Sequence, residues 1–146
     1  MPNYCSNKIV VCGDLNKFKT WLNGEPFSLN KIAPMDQTLL DGEGWYDWRL
    51  ANWGVKWELN FEEIDQIEFH NNIILKFDTA WCPPRIAIGK LAKLFPEINI
   101  AHAYRERGWD IVGKDHYRNG KKIKTIGYYR GHSQRMQRAY LCAIAA

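Results

Sequence analysis

Near the start of the chain, the apolar positions change from a strand pattern to a helical pattern. The β-branched run 7–12 stops at Gly13 and therefore predicts a buried strand. Apolar residues at helical spacing follow, between Asp14, which can cap a helix, and the Asn23-Gly24 stop signal. We therefore predict one strand and then one helix over residues 15–23.

The rest of the chain contains the remaining predicted strands and helices. Apolar and polar residues alternate on both sides of Asn71-Asn72, which predicts a hairpin. After Pro83-Pro84, which suits the first turn of a helix, an apolar stripe runs to Phe95. Alternation returns at 98–104, 109–112 and 123–129, with a strong hairpin signal at Asn119-Gly120. Residues 132–146 have the spacing of an amphipathic basic helix.

This order of elements predicts an α+β fold with a ferredoxin-like antiparallel sheet and helices on one face. We expect residues 1–146 to form a single domain. It would contain a Trp-rich acidic insertion (25–65), a ferredoxin-like strand-rich part (66–131) and a C-terminal amphipathic helix (132–146). The predicted core consists of apolar residues from the two central helices and the strands: Phe18, Trp21, Leu22, Ile73, Leu75, Phe77, Leu91, Leu94, Phe95, Ile98 and Ile100.

The insertion carries an unusual concentration of tryptophan. Four of the seven tryptophans lie between residues 45 and 57, interleaved with charged and amide side chains. Aromatic and arginine residues anchor many protein interfaces, but tryptophan is also usually mostly buried. The segment is therefore either an interface or a small core that holds the insertion on the sheet. As an interface, its candidate partner-binding residues are Trp45, Trp48, Arg49, Asn52, Trp53, Lys56 and Trp57.

Charge is distributed unevenly along the chain, whose formal net charge is +4. Between Asp36 and Glu68 there are nine acids against two bases, and between Lys114 and Arg138 eight bases against one acid. Basic residues interleaved with tyrosines are typical of single-strand nucleic-acid binders, although no RNA-recognition signature is present. For this alternative the candidate residues are Arg118, Lys121, Lys122, Lys124, Arg130, Arg135 and Arg138.

The sequence gives little support to catalysis. It contains no Gly-rich phosphate loop, no G-x-S-x-G and no repeated Cys/His spacing. Cys82 could act as a nucleophile with a histidine base, either His70, His102 or His116, but a lone cysteine is more often a small buried hydrophobe. The acids Asp47, Glu106 and Asp110 are isolated in the sequence. We therefore favour a non-enzymatic protein and expect no catalytic residue, no metal site and no cofactor.

The expected location is the cytoplasm of a bacterial cell. No apolar run approaches the length of a membrane span, and the first residues lack a basic head followed by an apolar stretch. The four cysteines are scattered, so a reducing compartment would leave them as free thiols.

Several motifs resemble those of a family of uncharacterised proteins found in phages, conjugative plasmids and enterobacteria. Residues 1–7 resemble its Met-Pro-Asn-Trp-Cys-x-Asn opening, with Tyr4 in place of Trp. Residues 52–57 and 79–84 are similar to its Asn-Trp-Gly-x-Lys-Trp and Thr-Ala-Trp-Ser-Pro-Pro, with Cys82 in place of Ser. Residues 104–110 are similar to its Tyr-x-Glu-x-Gly-x-Asp. The resemblance covers about the first 130 residues.

This resemblance implies a ferredoxin-like C-terminal half and a home on a mobile element. It supplies no catalytic residues. We expect a non-enzymatic interaction protein that binds a host protein, with inhibition of a host defence system such as CRISPR-Cas as one role that fits this setting. Single-stranded nucleic-acid binding is the first alternative, and a small enzyme with a Cys/His or carboxylate site is the second.

Overall fold

The computed structural model describes residues 3–108 and 111–128. Within these residues the strands are β1 (Tyr4–Gly13), β2 (Asp65–Phe69), β3 (Asn72–Ala80), β4 (Ile98–Glu106), β5 (Ile111–Arg118) and β6 (Lys121–Tyr128). The α-helices are α1 (Asn16–Leu22), α2 (Leu29–Ile32), α3 (Gly44–Asn52) and α4 (Arg85–Leu94). Two short 3-10 helices, Gln37–Asp41 and Phe61–Glu63, lie on either side of α3.

The six strands form one antiparallel sheet in the order β2-β3-β1-β4-β5-β6. Strands β1 to β4, with α1 after β1 and α4 after β3, have the βαββαβ order of a ferredoxin-like fold. The β5–β6 hairpin extends the sheet beyond β4. The predicted fold class is therefore confirmed. The ferredoxin-like unit is not confined to residues 66–131, however, because β1 is its central strand and pairs with both β3 and β4.

One face of the sheet, which we call the inner face, carries the core. Residues on this face of β1, β3, β4 and β5 are buried in strict alternation, as the period-two pattern predicts. Their apolar members pack against α1 and α4. The predicted core is confirmed for nine residues, all buried: Phe18, Leu22, Ile73, Leu75, Phe77, Leu91, Phe95, Ile98 and Ile100.

The prediction was wrong for Leu94, whose side chain is 51% exposed, and Trp21 is only partly buried. On α4 the buried stripe runs through Ile88, Leu91 and Ala92. Leu94 ends the helix at the side of that stripe, since a helix advances 3.6 residues per turn. The sequence pattern alone did not distinguish the centre of the stripe from its border.

The turns follow the sequence signals with one shift. Asn119 and Gly120 both have positive φ, 53° and 75°, which gives the predicted hairpin between β5 and β6. The β2–β3 turn lies at His70 and Asn71, one residue earlier than predicted, because Asn72 already pairs with Phe69.

Hydrogen bonds fix the long stretch 25–65 to itself and to α4. The Glu58 carboxylate accepts hydrogen bonds from the backbone N–H groups of Leu29 and Asn30 at 2.8 and 2.7 Å. These two bonds join the end of the stretch to the start of α2. The backbone N–H of Ala87 donates to the Trp53 carbonyl at 3.2 Å, so the stretch is also tied to α4.

The predicted C-terminal helix (132–146) lies outside the described residues, as does Trp109 in the predicted strand 109–112. No helix in the described part of the chain is long and apolar enough to cross a bilayer.

Candidate functional site

The second face of the sheet, which we call the open face, is accessible to solvent. Apart from Ala80 at the end of β3, the residues of β1, β3, β4 and β5 on this face are exposed or half-buried. The buried strand residues that pack against the helices all belong to the inner face. An antiparallel sheet commonly has one packed face and one solvated face.

Basic residues follow one row across this open face. The strand pairings place next to one another, in the order of the strands, Asp65, Lys76, Lys8, Ala103, Lys114 and Ile126. The neighbouring row contains Asp78, Ser6, Arg105 and Val112. Lys8 and Lys76 are directly opposite each other, an arrangement that destabilises a sheet because like charges repel.

The open face also exposes apolar side chains. A third row contains, in the order of the strands, Ile67, Ile74, Val10, Ala101, His116 and Lys124. Ile67, Val112 and Ile126 are 47%, 44% and 55% exposed. A shallow groove of about 530 Å³ crosses the face between Lys76, Lys8 and Arg105, where the side chain of Ala103 is short. Basic and apolar groups on one accessible surface suit a partner that has both acidic and apolar groups.

The tryptophan segment is occupied largely by contacts within the molecule. Trp53 is 1% exposed, and its indole N–H donates to the Ala33 carbonyl at 3.0 Å. The Trp48 ring packs edge-on against Trp53, with centroids 5.7 Å apart. The Arg49 guanidinium lies 5.1 Å from the ring centroids of both Trp45 and Trp53. These contacts hold α3 against the core.

The remaining candidates of this segment lie at its margin. The Lys56 ammonium is 4.8 Å from the Trp57 ring and 5.5 Å from the Trp81 ring, both within cation-π range. The Asn52 side chain accepts a hydrogen bond from Lys90 on α4 at 2.8 Å. Trp57 is 38% exposed. Of the seven candidate partner-binding residues, Trp57 is thus the one that presents the most aromatic surface to solvent, while Trp53 is part of the core.

Sequence reasoning missed a polar cluster buried on the inner face. Arg85 donates to the Asp115 carboxylate through Nε at 2.6 Å and Nη2 at 3.0 Å. Thr125 adds a third hydrogen bond to that carboxylate at 2.8 Å. Both charged side chains are almost fully buried. The only signal in the sequence was an acid at an inward position of β5 and an arginine directly after Pro84.

His102 lies beside Asp115 in the strand register and contacts Asn7, with Nε2 and Oδ1 2.9 Å apart. Asn7 in turn donates to Thr79 at 2.9 Å, and Thr79 donates to the Cys82 carbonyl at 2.7 Å. Burial lowers the pKa of His102 to about 3, so the imidazole is neutral at physiological pH. Burial raises the pKa of Tyr104, on the same face, to about 12.

The structure places the candidate catalytic residues in structural contacts. The buried Cys82 thiol donates to the Gly54 carbonyl at 3.1 Å. His102 is linked to the main chain of Cys82 through Asn7 and Thr79, not to its thiol. His70 is exposed at the β2–β3 turn, and His116 is on the open face, away from the buried Cys82.

The candidate acids are similarly dispersed. Asp47 is exposed on α3, and Glu106 is buried at the end of β4, where it accepts the N–H of Gly108 at 2.9 Å. Asp110 lies outside the described residues. Across residues 3–108 and 111–128, no three His, Cys, Asp or Glu side chains are grouped so that they could hold a metal ion.

The described residues among those proposed for nucleic-acid binding do not all lie on one face of the sheet. A register shift between His116 and Tyr117 leaves Ile123 unpaired on β6. As a result, Lys122 pairs with inward-facing Tyr117, whereas Lys124 pairs with His116 on the open face. Lys121 and Arg118 pair with each other beside the hairpin turn. Arg130, Arg135 and Arg138 lie outside the described residues.

Comparison with known proteins gives a relative by sequence and a solved structure of similar fold. The uncharacterised protein YubB of Escherichia coli (strain K12) is 29% identical over 82 residues, which cover 56% of this chain and 56% of that protein. The crystal structure of a protein api92 from Yersinia pseudotuberculosis is similar with a TM-score of 0.56 and 24% identity, over 72% of this chain and 40% of that chain. The chain therefore spans about half the length of these relatives.

A family model described as the ferredoxin-like domain in Api92-like protein matches residues 53–138. The match begins at the buried Trp53 and includes strands β2 to β6 with helix α4. Because it spans more than half of the 146 residues, the chain belongs to the family of Api92-like proteins with a ferredoxin-like domain.

Proposed function

We propose that this protein is a non-enzymatic interaction protein, and that it binds an acidic surface of a host protein through the open face of its sheet. The observation that carries the proposal is the row of exposed bases that includes Lys8, Lys76 and Lys114, set beside exposed Val112 and Ile126. A patch that is both basic and apolar can attract an acidic partner by its charge and bury apolar area when the partner binds.

The unfavourable charge arrangement supports this proposal. Lys8 faces Lys76 across the β1–β3 pair, and both side chains are exposed. Asp65 on the edge strand pairs with Lys76, so Lys8 has no acidic cross-strand neighbour on either side in its row. A partner that brings carboxylates to this row would relieve the repulsion on binding.

The tryptophan segment has a secondary part in this proposal. Its rings are mainly packed against one another and the core, so they act as a support. Trp57 and its neighbour Lys56 offer a smaller aromatic surface that could extend an interface. The resemblance to proteins of phages and plasmids makes a component of a host defence system, such as CRISPR-Cas, a reasonable partner to test.

Single-stranded nucleic acid is the second candidate ligand of the open face. Lys8, Lys76, Lys114 and Lys124 are all accessible there, and phosphates bind such rows of bases. The aromatic side chains that stack bases in single-strand binders are scarce among the described residues of this face, where Tyr4 and Phe69 lie near the strand ends. This scarcity favours a protein partner.

The test is capture of host proteins by the full chain, followed by identification of cross-linked partners. The variant Lys8→Glu reverses a charge at the centre of the open face, and Lys17→Glu makes the same change on the exposed side of α1. We expect Lys8→Glu to weaken binding of the identified partner about tenfold or more, because like charges then face each other across the interface. Lys17→Glu should bind as the parent does.

Two outcomes would contradict the proposal. If both variants bind the partner equally well, the open face is not the interface. If the captured ligand is nucleic acid and binding vanishes as salt rises, the second candidate replaces the first. Neither variant should unfold at a lower temperature than the parent, so that a loss of binding is not a loss of folding.

A further inference from the structure

A basic cleft lies on the other side of the sheet from the open face. It has a volume of about 500 Å³ and is formed between α4 and the β5–β6 hairpin. Arg85, Gly89 and Lys90 border it on the helix, and Tyr117 and Lys121 border it on the hairpin. The cleft is within the size range of small-molecule sites.

All charged residues that line this cleft are bases: Arg85, Lys90, Lys93, Lys121 and Lys122. The buried carboxylate of Asp115 is already bonded to Nε and Nη2 of Arg85. Burial and the charge of Lys93 lower the pKa of Lys90, while burial and the charge of Arg85 lower the pKa of Lys122. The bases therefore disfavour one another's charge, and a bound anion would relieve this.

Two residues that line the cleft, Arg85 and Tyr117, carry buried donors without a partner in the described part of the chain. These donors are Arg85 Nη1 and the Tyr117 hydroxyl. A buried donor without a partner costs free energy, commonly about 1–3 kcal/mol. The ion pair with Asp115 fixes the guanidinium plane, so Nη1 is held in one orientation.

The space above these donors depends on Gly89. A Cβ atom at this position would be 4.0 Å from the Tyr117 ring, which is ordinary contact, but a longer side chain would occupy the cleft. Glycine within a helix costs about 1 kcal/mol relative to alanine. The absence of a side chain on this turn of α4 keeps the cleft open.

We propose that this cleft binds a phosphate group, with Arg85 Nη1 and the Tyr117 hydroxyl as hydrogen-bond donors and Lys90 and Lys122 as charge partners. Arginine binds phosphate oxygens through N–H groups of fixed direction, and lysine adds a positive charge on a flexible side chain. Lys90 donates one hydrogen bond to Asn52 and keeps two further N–H donors that can turn to an anion. The phosphate belongs either to a small phosphorylated ligand or to the end of a nucleic acid.

Binding is measured on the full chain at low ionic strength by calorimetry and thermal shift. The ligands are inorganic phosphate, pyrophosphate and one short oligonucleotide with and without a 5′-phosphate, each against sodium chloride of matched ionic strength. We expect phosphate or pyrophosphate to bind and to raise the melting temperature. Stronger binding of the 5′-phosphorylated oligonucleotide than of its unphosphorylated twin identifies a nucleic-acid end, and equal binding of the two identifies a small phosphorylated ligand.

Matched variants separate this site from the rest of the surface. Lys122→Gln removes a base of the cleft, and Lys17→Gln removes an exposed base on α1, away from the cleft and the open face. Tyr117→Phe removes a hydroxyl and keeps the ring. We expect Lys122→Gln and Tyr117→Phe each to weaken phosphate binding about tenfold and Lys17→Gln to leave it unchanged.

The stability of Tyr117→Phe with and without ligand distinguishes phosphate binding by the hydroxyl from a purely structural role of that hydroxyl. Without ligand, the variant should be at least as stable as the parent, because it lacks an unpaired buried hydroxyl. With ligand, it should gain less stability than the parent. The proposal is overturned if the parent shows no effect of phosphate at about 10 mM, or if Lys17→Gln loses as much binding as Lys122→Gln. The cleft lies apart from Lys8, so failure here leaves the interaction at the open face unaffected.

Discussion

At the scale of single residues, the inner face buries a group of polar side chains beside its apolar core. Arg85 and Asp115 satisfy each other's charge, and Thr125 occupies a further acceptor position of the carboxylate. Buried charges are tolerated when they are paired and hydrogen-bonded. The Asn7 amide N–H groups donate to Cys5 and Thr79, so the amide oxygen accepts a hydrogen bond from the Nε2–H of His102. This fixes the tautomer of the imidazole.

The neutral His102 makes stability depend on pH. Its pKa is 6.5 when exposed and about 3 in the folded state, so between these values the unfolded chain binds more protons. The free energy of unfolding should therefore rise with pH across this window, by up to about 1.4 kcal/mol per pH unit from this group. Urea unfolding between about pH 5 and 6.5 avoids most carboxylate titration and measures the slope.

The variant His102→Gln, which can still donate to Asn7, should show a flatter slope in this window. The exposed His70→Gln is the matched control and should retain the parental slope. Identical slopes for His102→Gln and the parent would mean that His102 titrates normally in the folded protein.

At the scale of elements, α4 separates an apolar stripe from a basic side. Leu91 is fully buried, whereas Leu94 is 51% exposed on the same helix. We expect Leu91→Ala to lower the free energy of unfolding by about 2–5 kcal/mol, because it leaves a cavity. Leu94→Ala should change it by less than about 0.5 kcal/mol. Chemical denaturation of the two variants checks this contrast, and equal losses would show that Leu94 also packs in the core.

The insertion 25–65 uses tryptophan for two tasks. Trp53 fills the core and bonds to Ala33, and Arg49 lies close to the rings of both Trp45 and Trp53. Trp57 lies at the border and contacts Lys56. The side chains that fix the insertion to the core are thus mostly different from those that remain accessible to a partner.

This division gives an expected pair of results. Trp53→Ala should destabilise the protein by about 3–5 kcal/mol, because a large buried ring and its hydrogen bond are lost. Trp57→Ala should change the melting temperature little, since much of its ring is exposed. Each variant is assayed for thermal stability and for partner capture. A loss of capture in Trp57→Ala with normal stability would place part of the interface on the insertion, whereas unfolding of Trp57→Ala would show that this ring too belongs to the support.

At the scale of the whole molecule, the sheet separates two basic surfaces that are close in sequence. Lys124 belongs to the open face, while Lys122 pairs with inward-facing Tyr117 and borders the cleft beside α4. The register shift on β6 produces this separation, because it leaves Ile123 out of the pairing. The basic segment seen in the sequence therefore supplies charge to two different places.

The salt dependence of nucleic-acid binding tests which surface is used, if any. Should single-stranded DNA bind the open face, Lys8→Gln combined with Lys114→Gln would flatten the plot of log affinity against log salt concentration. The slope should fall by about 1 for each phosphate contact removed. Lys17→Gln on α1 is the control with an unchanged slope. Fluorescence titration at several salt concentrations measures this, and the absence of binding at low salt would eliminate the nucleic-acid alternative.

Local sequence signals determined most of the elements. The Asn119-Gly120 pair specified its hairpin, since both positions need positive φ, and alternation identified the strands that line the core. The family motifs indicated the ferredoxin-like class, which the matched family model and the strand order both support. These features depend on neighbours within a few residues, so the sequence carries them directly.

Only the tertiary structure decided how distant segments combine. The pairing of β1 with β3 and β4 joins residues far apart in the chain, and this pairing creates the row of bases on the open face. Likewise, Arg85 meets Asp115 because α4 packs over β5, and the register of β6 assigns each lysine to a face. The sequence determines how many charged and aromatic side chains the protein has. Whether these side chains lie together on one surface depends on long-range strand pairing and helix packing.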